Sequence, residues 1–118
     1  MAQVVTLVDD LFFQAKLLET AKQLGIDLRN CSTTDAFLAE ATTHTPKLLI
    51  VDLNGRDNPI EAISRAQASH AGIPLIGFFS HVQTELAERA SAAGCPVVMP
   101  RSKFTRDLAT ILGQAKSE

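Results

Sequence analysis

Lys47-Leu48-Leu49-Ile50-Val51-Asp52-Leu53-Asn54-Gly55-Arg56 is the stretch on which the reading of this chain turns. Leu48 to Leu53 is apolar except at Asp52. A run this short and this continuous, with no polar alternation, reads as a strand buried on both faces, as in a parallel sheet. Asn54-Gly55 behind it is turn chemistry. Asp52 therefore stands where a buried strand ends, a placement that suggests more than a turn carboxylate.

The same pattern extends in both directions. Strand-like runs occur at Val4 to Val8, Leu28 to Cys31, Ile73 to Phe79 and Pro96 to Met99. Four of the five runs are nearly continuous in apolar residues. Leu28-Arg29-Asn30-Cys31 alternates and is expected at a sheet edge. Helical spacing fills the gaps. Phe13, Leu17, Leu18, Ala21 and Leu24 recur on one face, with Gly25 as the stop. Phe37, Leu38 and Ala41 follow a Ser-Thr-Thr start. Asn58-Pro59-Ile60-Glu61 predicts a helix start with a capping side chain and Pro at the first position. Ser80-His81-Val82-Gln83 carries Ser-x-x-Gln capping logic, with Val82, Leu86, Ala90 and Ala93 before Gly94. A last helix is expected from about Phe104 through Leu108, Ile111 and Leu112 to Gly113.

Five β units alternating with five α units predict one α/β domain over residues 1–118, a parallel sheet with helices on both faces. Right-handed crossovers leave few topologies. The doubly wound, flavodoxin-like (βα)5 order 2-1-3-4-5 puts the polar second strand at an edge. Cys31 and Cys95 would then lie on opposite edges, beyond disulfide reach, as free buried groups.

Composition excludes several classes. The formal net charge is -2, from 11 basic and 13 acidic side chains, so no nucleic-acid or membrane footprint is expected. No apolar run is long enough to span a bilayer, and the N-terminus has no signal-peptide pattern; a cytoplasmic location is the expectation. Asp9-Asp10 where a glycine-rich phosphate loop would stand argues against a flavin- or nucleotide-binding protein.

In open α/β sheets ligands bind at the carboxyl ends of the strands. Strand one leads to Asp9-Asp10, strand three to Asp52 and Asn54, strand four to Ser80-His81, and strand five to Arg101-Ser102-Lys103. Strands one and three would be neighbours ~5 Å apart. Their carboxylates repel unless a cation sits among them or a proton is taken up. Hard oxygen donors favour Mg²⁺, and carboxylates, a hydroxyl and a cationic side chain together suit phosphoryl chemistry. Asp10 has a second expected role, as N-cap of the first helix. His81 has no second His or Cys nearby and is not expected to bind metal. His44 and His70 are expected at the surface, and Phe78-Phe79 in the core.

Val-Asp-Asp after strand one, Val-Asp ending strand three and Ser80 ending strand four resemble the receiver domain of bacterial two-component response regulators, over Val4 to about Leu112. The resemblance implies Asp52 as phosphoacceptor. It implies Asp9, Asp10, Asp52 and the Asn54 carbonyl as Mg²⁺ ligands, Ser80 as the phosphoryl-contacting hydroxyl, and Arg101, with Lys103 close by, at the family's lysine position. It implies a phosphorelay protein with no enzymatic activity beyond accepting a phosphoryl group. Its partners would be a sensor histidine kinase or phosphotransfer protein and an output protein, and its state monomer or weak homodimer. No appended output module is expected, so it would stand alone. The chain departs from the pattern in several places, an unusual His81 after Ser80 among them. Asp52-Leu53-Asn54-Gly55-Arg56 lacks the usual Met-Pro turn, Arg101-Ser102 replaces Lys-Pro, and Val98 takes the switch-aromatic position. These departures point to an atypical receiver, and they keep open a pseudo-receiver that acts by phosphorylation-independent protein contact.

Overall fold

The computed structural model describes residues 2–80 and 84–116. Five strands, β1 (Val4–Leu7), β2 (Leu28–Cys31), β3 (Leu48–Asp52), β4 (Leu75–Phe79) and β5 (Val97–Pro100), form one parallel sheet in the order β2-β1-β3-β4-β5. Between and after them run α1 (Leu11–Leu24), α2 (Thr34–His44), α3 (Pro59–Ser69), α4 (Thr84–Ala92), α5 (Arg101–Arg106) and α6 (Leu108–Gly113). The fold class, the strand order and the edge position of β2 are as the sequence predicts.

Two apolar layers sandwich the sheet. Successive strand residues point to opposite faces, so Val4, Leu48 and Ile50 pack with α1, α5 and α6, while Val5, Leu49 and Val51 pack with α2, α3 and α4. On the first face Phe78 and Phe104 stack with ring centroids 4.4 Å apart, and Phe13 tilts against both. All five residues of β3 are buried, Asp52 among them. Cys31 and Cys95 are free and buried, on opposite sides of the sheet's strand order. Burial raises both thiols, Cys31 to about 11, with Glu40 adding to the rise and Arg29 opposing it.

The helix ends show which local signals the backbone uses. Asp10 caps α1, its carboxylate accepting from the Phe12 and Phe13 N–H groups. Gly25, at φ 73°, closes the same helix, and the Ile26 N–H returns to the Ala21 carbonyl. Thr33 caps α2 through Ala36 N–H. Asn58 differs from expectation. Its side chain makes no capping bond, because its backbone sits in the left-handed region (φ 48°) instead of the extended region from which a cap reaches back. Pro59 still opens α3. The expected single last helix is broken into α5 and α6 at Asp107 (φ -100°, ψ 13°), whose carboxylate faces Lys103 and Arg106. Leu18, expected on the core face of α1, is 45% exposed. His44, expected at the surface, is partly buried: its ring accepts from Ala2 N–H at 3.0 Å and lies 3.5 Å from Glu40. The sequence expectations for His81, Val82 and Gln83, including the Ser-x-x-Gln cap, lie outside the described residues. Among the described residues no helix is long and apolar enough to cross a membrane.

Candidate functional site: the acidic edge of the sheet

The carboxyl ends of β1 and β3 lie side by side at the point where strand order reverses, and each delivers an acid there. Asp52 is the last residue of β3 and only 3% exposed. Its Oδ1 accepts the Asn54 N–H at 2.9 Å. Burial pushes its carboxyl above the ordinary range. The Asn54 N–H and the Arg101 charge oppose that rise, and the charges of Asp9 and Asp10 add to it. The two flanking acids and Arg101 are thus within electrostatic reach of Asp52, as the strand-end argument requires.

The two neighbouring acids are held differently. Asp9 Oδ2 accepts the Arg56 N–H at 2.9 Å, which ties the end of β1 to the loop after β3. Asp10 Oδ1 accepts from Phe12 and Phe13 N–H at 3.0 and 3.2 Å. Its Oδ2 accepts from Arg101 Nη2, also at 3.0 Å. Arg101 and the helix N–H groups together hold the Asp10 carboxyl below its usual range.

Arg101 is anchored on three sides. Besides Asp10, its Nη1 lies 3.5 Å from Ser80 Oγ, and its Cζ stands 4.4 Å from the centre of the Phe13 ring. Ser80 N–H donates to Asn54 Oδ1 at 2.7 Å. Of the sequence-predicted residues, Asp9, Asp10, Asp52, Asn54, Ser80 and Arg101 therefore converge. Lys103 does not join them; its Nζ pairs with Asp107 at 3.4 Å one turn along.

Three participants escape sequence reasoning. The Phe13 ring as a platform for Arg101 has no local signal, since an apolar residue at a core position reads as core. The family resemblance implies a role only for the Asn54 backbone carbonyl, yet its side chain fixes Ser80. The Arg56 contribution is a backbone N–H, which side-chain chemistry does not announce.

Asp9 and Asp52 line one small cavity of about 10 Å³ with Gly55, Arg56 and Asp57; Asp10 is not on its wall. That is the space of a single water or small ion. Among the described residues no three His, Cys, Asp or Glu side chains stand together as a ready metal group. The carboxylate and carbonyl oxygens suit a hard divalent cation such as Mg²⁺. Asp9 and Asp52 face the cavity, while Asp10 is engaged by Arg101.

No family model matches this chain, and no curated protein matches it. Solved structures do. The CheY-like receiver domain protein of Methanospirillum hungatei superposes with a TM-score of 0.83 at 16% identity, over 97% of this chain and 92% of that one. The chemotaxis response regulator CheY4 of Vibrio cholerae gives 0.82 at 16% identity, over 98% and 99%. The receiver domain of NtrX from Brucella abortus gives 0.80 at 16% identity, over 95% and 96%. Against the longer NtrX chain the match spans 27% of that protein, at 18% identity and a TM-score of 0.78. This chain has the fold of response-regulator receiver domains, from one end of that fold to the other.

Proposed function

We propose that this chain is a receiver-like signalling domain of a phosphorelay, in which Asp52 accepts a phosphoryl group from a phosphohistidine donor and the output is contact with another protein. One observation carries the reading. A buried carboxylate ends the strand at the switch in strand order, beside Asp9 and within reach of the Arg101 charge. In the transfer an Asp52 oxygen bonds to phosphorus as the phosphorus–nitrogen bond of the donor breaks, and the imidazole leaves with those electrons. The closeness of Ser80 Oγ and the Arg101 guanidinium, 3.5 Å apart, supports roles for them as the hydroxyl and the fixed cation that meet the phosphoryl oxygens. Mg²⁺, held by Asp9, Asp10, Asp52 and the Asn54 carbonyl, would supply further charge neutralisation. Asp52 modifies itself in this scheme, so the chain is no enzyme toward other molecules. The donor is a sensor kinase or phosphotransfer protein, and the domain works in the cytoplasm as monomer or weak homodimer.

Treatment with phosphoramidate and Mg²⁺ tests this. The reading expects the mass of one phosphoryl group added to the wild type and none to Asp52→Asn. No adduct on the wild type, or an equal adduct on the variant, removes it. A second reading, a pseudo-receiver working by phosphorylation-independent contact, is favoured by the Arg101–Asp10 pair, which already neutralises one of the acids.

A further inference from the structure

We infer that Arg101 is a resident cation that competes with Mg²⁺ for Asp10, so that divalent metal gains its full oxygen set at this edge only by displacing a side chain of the protein itself. The inference rests on the reading that Mg²⁺ belongs here, and it adds what controls its entry.

The geometry is specific. Asp10 has two carboxylate oxygens, and both are committed. Oδ1 serves the first turn of α1, and Oδ2 accepts from the Arg101 guanidinium at 3.0 Å. The guanidinium is held against leaving by two further contacts, the Phe13 ring under it at 4.4 Å and Ser80 Oγ at 3.5 Å. A lysine ammonium lacks the planar fork that bonds a carboxylate and lies on an aromatic face at once. The anchors are also mutually supporting. Asp10 caps the helix that carries Phe13, and Phe13 supports the cation that binds Asp10. Asp9 and Asp52 share a cavity that Asp10 does not line. A metal entering beside those two acids thus meets only part of its oxygen set until Arg101 lets go. Two cations cannot both take full advantage of one carboxylate oxygen, and a divalent ion close to the guanidinium is repelled by it.

Magnesium titration followed by ¹H–¹⁵N NMR on the full chain tests this, with wild type, Arg101→Gln, Arg101→Lys and Asp10→Asn. The expected result is weak binding by the wild type and affinity tighter by roughly tenfold in Arg101→Gln, the scale of one partly exposed ion pair reinforced by an aromatic contact. Arg101→Lys should fall between them, and Asp10→Asn should bind more weakly than the wild type. In the wild type, the Arg101 guanidinium resonances should move with the same midpoint as the Asp9 and Asp52 amides, a readout that needs no variant to fold. Equal affinity in wild type and Arg101→Gln, or metal binding that leaves the guanidinium resonances unmoved, overturns the competition and leaves the metal reading standing. Absence of binding in every form overturns both.

Discussion

Asp52 is the acid of this edge that burial disfavours in its charged form, and the sign of the effect can be read from its surroundings. Burial raises its folded-state pKa above that of the unfolded chain. An acid shifted in this direction favours the folded state when protonated, and that contribution is lost as pH rises through the native pKa. Asp52→Asn should therefore stabilise the protein at pH 7, by on the order of 1 kcal/mol. The gain should vanish as pH falls below about 4, the ordinary carboxylate range. Chemical denaturation of both proteins across that interval checks this, and a pH-independent difference would contradict it. Asp10 has the opposite sign. Arg101 and the Phe13 N–H lower its pKa, so its contribution is present at neutral pH and is lost as pH falls through the native value. Two substitutions separate its two roles. Asp10→Ala removes the cap and the ion pair, and should cost about 1 kcal/mol for the cap alone. Asp10→Asn keeps a good capping side chain and loses only the charge, so it should cost less and remove Asp10's own share of the acid-side pH dependence. Equal losses in the two variants would show that the cap contributes nothing.

At the scale of elements, the helices on the α1 side are held by aromatic packing. Phe104 sits in α5, a helix of only 6 residues, and owes its place to Phe78 and Phe13 more than to local helix propensity. Phe104→Ala should cost about 3–5 kcal/mol and loosen the mount of Arg101, three residues earlier. A thermal midpoint close to that of the wild type would contradict this. On the opposite face, Gly94 ends the α4 segment at φ 106°, and a Cβ there would stand 3.1 Å from Gln67 Cγ. Gly94→Ala should lose more than about 1 kcal/mol, because strain and crowding add. Element existence was legible in the sequence because buried parallel strands and amphipathic helices differ in period. Ends were legible where one residue decides them, as with Asp10, Thr33 and Gly25. They were not legible at Asn58, where a left-handed backbone disables an otherwise good cap, or at Asp107, where an apolar period runs through a break in the backbone.

For the whole molecule, the expected strand order rests on the precedent of the flavodoxin-like fold, with which a polar second strand and right-handed crossovers agree, and the sheet has that order. Convergence of the acids followed from strand order. What the sequence could not express is how groups distant along the chain divide their bonds. Asp10 and Arg101 are 91 positions apart, and only the folded sheet shows that one carboxylate serves both a helix end and a guanidinium. The same holds for Asn54 reaching Ser80 across the β3–β4 junction. Asp9 likewise takes its partner from the loop of another strand. The proposed role of this edge is to receive a phosphoryl group on Asp52. Its most direct test is a crystal structure grown with Mg²⁺ and beryllofluoride. Density bonded to an Asp52 oxygen is expected, with Ser80 Oγ and the Arg101 guanidinium turned to the fluorides and Arg101 withdrawn from Asp10. A bare Asp52, with the Arg101–Asp10 pair intact under saturating reagent, would contradict it.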